Sequence, residues 1–357
     1  MTHGKEQKAM SWMAIICLFA AMTELGTGVV SAAEKKPADF FKGATIRIVV
    51  PFAPGGTADT ATRVPVAFFG KYSGARVVVE NMPGAGGYVA LRYLYHSARP
   101  DGLTLGMLNP SGIYLAELLG EKEITWKLEN FSFIGRAIRG SGGVLMVGKP
   151  SPIRTLDDLI KAKRQVKAAT VDPTIGSSVK LAMSAEALDL NLKIVPGFPG
   201  GKAQVLAVLK GEIEMTCNPP AGFENEFKTG ELRALAIACG RDVAPAFRSL
   251  FSSLPRLMDL PLRREKKRFV ELATSLDAVG FVLAGPPRMT EDRVRFLENA
   301  WLKALSEPEV KRTFEMRGDF YEPMSGKDYL QLLKEIRETV TDIGTKDLDQ
   351  IMFKKYY

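Results

Sequence analysis

Short runs of β-branched and aliphatic residues recur along this chain, each closed by glycine, proline, serine or threonine and followed by a helical pattern. That alternation predicts an α/β fold whose strands run parallel. Ile46–Val50 reads as a strand, then a Pro/Gly loop, then a helix beginning near Asp59. The plan repeats with Arg76–Glu80, the Pro83–Gly87 loop and a helix through Leu91 and Leu94, and a third strand at Leu103–Leu108 ends in Asn109-Pro110-Ser111-Gly112. In parallel sheets ligands bind beyond the carboxyl ends of the strands, where N–H groups at helix N-termini face solvent.

A second series begins after Gly140-Ser141-Gly142-Gly143. Strands are predicted at Val144–Val147, Val166–Val171, Leu192–Val195, Ile213–Thr216 and Leu232–Ala238, with a helix at Leu156–Ala162 and another containing Val205, Leu206, Val208 and Leu209. Two similar α/β lobes account for this organisation. The C-terminal part is helical, with apolar residues at i, i+3 and i+4 around Leu297, Trp301 and Leu305 and again from Tyr329 to Val340. Its aromatics read as core.

Composition narrows the chemistry. At 357 residues, with 46% hydrophobic and 25% charged positions, the chain can bury a large core without staples. It has two histidines, His3 and His96, and three cysteines, Cys17, Cys217 and Cys239, with no zinc-ligand spacing, so neither a metal site nor a cofactor is expected. Lys5 and Lys8 precede an apolar stretch from Met10 to Met22, and Val30-Ser31-Ala32-Ala33 offers a cleavage site. Residues 1–33 therefore read as an export signal. Thirteen residues of helix reach only about 20 Å, short of a bilayer core of roughly 30 Å, and Ile16 argues against lipid attachment at Cys17. Cleavage removes two Lys and two Glu, so the net charge of +8 survives export. That charge suits anion binding, nearness to anionic lipid or solubility through self-repulsion, and outside the cytoplasm nucleic acid is a poor candidate partner. The cluster Arg263–Arg268 reads as a solvated helix face, and Cys217 and Cys239 could form a bridge or remain two buried thiols.

The glycine loops carry the chemistry. Gly84-Ala85-Gly86-Gly87-Tyr88-Val89 fails as a dinucleotide fingerprint at Val89, and the loop from Gly197 to Ala203 fails as a P-loop in spacing and at Ala203, where magnesium requires a hydroxyl. What remains is backbone recognition. Gly55 and Gly56 let the main chain approach a ligand, and Thr57 adds a hydroxyl before a helix whose first N–H groups lack partners. A carboxylate satisfies such groups, and four or five charge-assisted hydrogen bonds of roughly 1.5–3 kcal/mol each suffice for a micromolar binder. Asp59 sits awkwardly beside an anion, so it is expected to bond loop or first-turn N–H groups, or else a ligand amine or hydroxyl.

The run Ile48-Val49-Val50-Pro51-Phe52-Ala53-Pro54-Gly55-Gly56-Thr57-Ala58-Asp59, with Glu80–Gly87 and Pro100-Asp101-Gly102, closely resembles the Bug family, the extracytoplasmic solute-binding subunits of tripartite tricarboxylate transporters. The likeness extends through Gly176-Ser177-Ser178, the Val195-Pro196 loop, Gly211–Glu214 and Gly230–Ala236. It implies a two-lobed periplasmic binding protein of type II-like architecture, with two chain crossovers and a ligand cleft between lobes. Residues 44–140 plus 284–357 would form the first lobe and 141–283 the second. By the same resemblance, Phe52, Pro54, Gly55, Gly56, Thr57 and Asp59, with Ala85, Gly86 and Ser111, would face the ligand from one lobe. Gly176, Ser177, Phe198 and Gly200 would face it from the other. Gly197-Phe198-Pro199-Gly200 departs from the family's commoner tyrosine-lysine-glycine loop, which removes a polar contact and leaves ligand identity open. The implied function is capture of a small organic carboxylate in the periplasm and delivery to membrane subunits, without chemistry or cofactor. The alternatives are a sensor that reports the same ligand to a signalling system, and an exported α/β hydrolase or transferase relying on His96, whose setting Tyr95-His96-Ser97-Ala98 reads as a helix end.

Overall fold

The computed structural model describes residues 36–140, 142–240 and 247–357. The export signal predicted at residues 1–33 lies outside the described residues. No helix among the described residues is long and apolar enough to cross a membrane.

Two sheets form the framework. The first is built from β1 (Thr45–Val50), β2 (Arg76–Asn81), β3 (Thr104–Leu108), β4 (Ser132–Ile138), β10 (Phe281–Gly285) and β11 (Met324–Ser325), in the order β11-β4-β10-β3-β1-β2. The second holds β5 (Gly143–Gly148), β6 (Val166–Ala169), β7 (Leu192–Val195), β8 (Met215–Asn218) and β9 (Leu232–Cys239), in the order β7-β6-β8-β5-β9. The helices that position the site are α1 (Thr57–Ser73), α2 (Tyr88–His96), α3 (Ser111–Leu118), α4 (Gly176–Leu188), α5 (Gly201–Lys210), α6 (Arg264–Ala278), α7 (Glu291–Leu305) and α8 (Gly326–Ile343).

The sheets are mixed where the sequence predicts parallel ones, and the connectivity explains why. β1, β2 and β3 are mutually parallel, whereas β10 runs antiparallel to both β3 and β4. Likewise β6, β7 and β8 are parallel, and β5 runs antiparallel to β8 and β9. β5 follows β4 of the first sheet directly, and β10 is entered from α6, which packs on the second lobe. Each begins at the end where its parallel neighbours finish, and so must run the opposite way. Described residues of the two passages, Arg139 and Gly140 in one and Val279 and Gly280 in the other, therefore lie side by side at the carboxyl ends of the parallel strands, a Cβ on Gly280 falling 2.7 Å from Arg139 Cα. The predicted boundary at 283/284 falls within β10.

β5 is buried throughout, and its side chains alternate between two faces. Val144 and Met146 pack with Val205 and Val208 of α5, whereas Leu145 and Val147 pack with Leu181 and Ala185 of α4. In the first sheet Ile46, Ile48 and Val50 point into a cluster with Phe69, Leu105 and Trp301. Trp301 meets Phe69 edge-on and donates its indole N–H to the Gly135 carbonyl at 3.1 Å, so the aromatics are core as expected. Residues after Thr345, which the sequence groups with the first lobe, lie against the second. Ile194 N donates to the Tyr356 carbonyl at 2.6 Å, and Glu186 of α4 accepts from the Tyr356 hydroxyl at 2.9 Å. Arg263–Glu265 are exposed as a solvated face, but Lys266 reaches α4, 2.6 Å from Asp189.

Candidate functional site

Between the two sheets lies a cavity of about 280 Å³. From the first lobe it is lined by Phe52, Thr57, Asn109, Ser111, Gly112 and Phe281, and from the second by Val171, Gly176, Ser177, Gly200, Gln204 and Asn218, among others. Four helices begin at its wall: Thr57 opens α1, Ser111 opens α3, Gly176 opens α4 and Gly201 opens α5. Two come from each lobe. None has a side chain capping its N-terminus, and α3, α4 and α5 carry no acidic residue in the first turn. Each end presents unpaired N–H groups and about half a positive charge. Bringing four such ends together is unfavourable until an anion sits among them, and among the described residues the charged groups lining the cavity are Lys180 and Asp277, which pair with each other.

Local sequence explains how the loops reach this geometry. Gly55 has φ +80°, a left-handed turn that glycine adopts without cost, and Gly56 then caps α1 with extended backbone. α1 starts at Thr57, two residues before the predicted start, because Asp59 lies in its first turn and reaches back. Asp59 Oδ2 accepts from Gly55 N at 3.0 Å, while Oδ1 accepts from Arg63 Nε at 2.9 Å and Asn81 Nδ2 at 3.0 Å. Burial works to raise the Asp59 pKa, but these donors outweigh it and hold the carboxyl below the usual aspartate value. Asp59 thus fastens the loop, as its position beside an anion suggested.

Of the other residues singled out in the sequence, Phe52, Thr57, Ser111, Gly176, Ser177 and Gly200 line the cavity, and Pro54, Gly55, Gly56, Ala85, Gly86 and Phe198 do not. Gly86 nonetheless faces the second lobe: a Cβ there would lie 3.4 Å from Ile175 Cδ1. Phe198 packs against the apolar cluster around Val205, and Pro54, Gly55, Gly56 and Ala85 are exposed. The lobes come close together at Gly112 and Gly176. A Cβ on Gly112 would stand 2.0 Å from the Thr174 carbonyl oxygen, and one on Gly176 would be 3.5 Å from Ser111 Oγ.

The cavity floor holds residues that carried no local signal. Lys180 of α4 is buried 2.6 Å from Asp277 of α6, and its Nζ donates to the Gly142 carbonyl at 2.8 Å. Asp277 Oδ2 accepts from Gly142 N, and the Asp277 carbonyl accepts from Gly140 N, both at 3.1 Å. Burial opposes the lysine charge, but the Asp277 carboxylate wins and Lys180 stays protonated. One buried ion pair therefore ties Gly140 and Gly142 of the first passage, and the end of α6 that leads into the second, to α4. Beside it, Cys217 and Cys239 are free thiols, and burial pushes Cys217 up to about 12. On the α5 side, Gln204 Oε1 accepts from Asn218 Nδ2 at 2.7 Å and from Thr216 Oγ1 at 3.0 Å. His96 is exposed at the end of α2, 2.9 Å from Thr125 Oγ1, and does not line the cavity. Among the described residues no cluster of His, Cys, Asp and Glu could hold a metal ion.

A family model described as the tripartite tricarboxylate transporter family receptor, TctC, matches residues 63–345. Protein BugT of Bordetella pertussis is 30% identical over 234 residues, 63% of this chain and 68% of that protein. The UPF0065 protein of the gbd 5′ region of Cupriavidus necator is 26% identical over 330 residues, 88% of this chain and 90% of its own. Among solved structures, MatC from Rhodopseudomonas palustris with bound malate gives a TM-score of 0.67 at 23% identity, covering 84% of this chain and 98% of that one. An R. palustris protein with adipate gives 0.68 at 18% identity, covering 87% and 97%. At those identities the likeness establishes a shared two-lobed fold.

Proposed function

The chain belongs to the tripartite tricarboxylate transporter receptor family, and from that premise we propose that it captures a small organic carboxylate in the periplasm and hands it to the membrane subunits of such a transporter. The observation that carries this reading is the convergence of four uncapped helix N-termini, two from each lobe, on one cavity. At about 280 Å³ the cavity is at the small end of the roughly 300–1,000 Å³ usual for ligand pockets, which suits an acid of a few carbons. Malate and adipate, bound in the two structural relatives, set the size range.

The ligand's carboxylate accepts from N–H groups at the starts of α1 and α3 on one side and α4 and α5 on the other, with Thr57, Ser111 and Ser177 supplying hydroxyls. Because it bonds both lobes only when they are together, its free energy favours the closed form by the difference in affinity between the two states. The lobes swing about the passages that hold Arg139 and Gly140 on one side and Val279 and Gly280 on the other. No bond is made or broken in this cycle. A thermal-shift screen of ligand-stripped protein against C3–C6 mono-, di- and tricarboxylates tests the proposal. At a ligand concentration 100 times Kd, stabilisation of about 2.7 kcal/mol is expected. A folded protein that no acid stabilises overturns it.

A further inference from the structure

Gln204 occupies an unusual position on the cavity wall. It is completely buried, it borders the cavity, and its Nε2 has no hydrogen-bond partner. A buried amide nitrogen without an acceptor costs about 1–3 kcal/mol, so native structures rarely leave one unengaged.

The surrounding bonds determine which end of this amide is free. Asn218 Oδ1 lies 3.1 Å from the Cβ position of Gly201, beside the first turn of α5, whose N–H groups are donors. Its acceptor end therefore faces the helix, and Asn218 Nδ2 faces Gln204 Oε1 at 2.7 Å and Thr216 Oγ1 at 2.8 Å. Thr216 Oγ1 adds a contact to the same Oε1 at 3.0 Å and is itself 3.1 Å from the Ala169 carbonyl oxygen. Reversing Gln204 would set its NH₂ against the NH₂ of Asn218. Oε1 is consequently held by Asn218, with the single Thr216 hydroxyl hydrogen shared between it and the Ala169 carbonyl, and Nε2 is left with two unpartnered hydrogens on a residue that borders the cavity.

We propose that Gln204 is a specificity-determining residue, donating from Nε2 to a second oxygen-bearing group of the bound acid and selecting dicarboxylates over monocarboxylates of equal chain length. The proposal rests on the carboxylate reading above and adds to it. The N-termini of the four helices satisfy one carboxylate with backbone donors. A monocarboxylate with an apolar tail would leave Nε2 buried and unpaired, whereas a second carboxylate or carbonyl oxygen pairs it. Sites built this way discriminate by the cost of the unpaired group as well as by the bond gained. The source of selectivity is a neutral donor on α5 held in register by two side chains of β8.

Calorimetric titration of the ligand-stripped, full-length exported protein with three chain-matched pairs tests this: succinate and butyrate, glutarate and pentanoate, adipate and hexanoate. Wild-type protein is expected to prefer at least one diacid over its monoacid by about tenfold or more. Gln204→Glu keeps an oxygen for Asn218 and Thr216 and replaces the unpartnered donor with a charged acceptor. Gln204→Met removes the amide without adding charge. Both are expected to reduce the diacid preference to within about twofold, with ligand-free melting reported alongside to establish folding. A preference that survives in a folded variant, or a wild-type protein with none, overturns the role of Gln204 and leaves the carboxylate reading standing. If no acid of any pair binds wild-type protein, the carboxylate reading fails and the assignment of Gln204 fails with it.

Discussion

At Gly112 the two lobes come close enough that a single added methyl group gives a sharp prediction. Gly112 is in the first turn of α3, and the backbone of Thr174 and Ile175 immediately precedes α4 in the other lobe. A Cβ built on Gly112 would be 2.0 Å from Thr174 O, 2.5 Å from Thr174 C and 3.2 Å from Ile175 N. Real Cβ contacts stay above 3.0 Å, and these partners are main-chain atoms with no rotamer to change, so Gly112→Ala must part the lobes by at least 1 Å here. The fold itself does not suffer, because alanine is favoured over glycine in a helix by about 0.8–1 kcal/mol. The variant is therefore expected to melt at or above the wild-type temperature without ligand while failing to close. If separation removes two charge-assisted hydrogen bonds from the second lobe, at roughly 1.5–3 kcal/mol each, affinity falls by about 10²- to 10⁴-fold. Calorimetry with a ligand found by the carboxylate screen gives the affinity, and small-angle scattering gives the radius of gyration with and without it. An affinity within threefold of wild type, with normal ligand-induced compaction, would refute the reasoning that closure brings Gly112 against Thr174.

The buried pair Lys180–Asp277 is expected to behave as a unit: Lys180→Met alone costs roughly 3–5 kcal/mol in chemical denaturation by leaving Asp277 uncompensated, and adding Asp277→Leu recovers most of that loss. Ser111→Asp places a carboxylate at the start of α3 in the ligand's stead; melting without ligand should rise, by about 0.3–2 kcal/mol of stability, and carboxylate binding should disappear. Asp59 has a folded pKa below its unfolded value, so its contribution is complete above about pH 4 and declines as pH falls through the lower folded value. The stability difference between wild type and Asp59→Asn should accordingly be constant from pH 5 to 7 and shrink below about pH 4, as thermal melts across that range would reveal.

Part of the candidate site was legible because its determinants are local. Gly55, Gly56 and Thr57 announce a turn into a helix start, and Gly176-Ser177 does the same in the second lobe, so positions close in sequence foretell N–H groups close in space. Residues whose meaning depends on partners far along the chain gave no such sign. Lys180 lies within an otherwise largely buried helix, 97 residues before Asp277, and neither position hints at the other. Gln204 looks like any polar residue on α5 until Thr216 and Asn218 arrive from β8. The mixed sheets were hidden for a related reason: hydrophobic pattern locates β5 and β10 as buried strands, but direction follows from which lobe the chain enters from. The tail shows an amphipathic pattern that does not say which lobe receives Tyr356.

The central claim is that N–H groups from both lobes grip a single carboxylate. A crystal structure with the acid that most strongly stabilises the ligand-stripped protein tests it most directly. The account predicts one molecule between the lobes, its carboxylate oxygens about 2.7–3.2 Å from main-chain nitrogens at the starts of helices in both lobes. An acid bound outside the cleft, or held by one lobe with the other standing off, would contradict it.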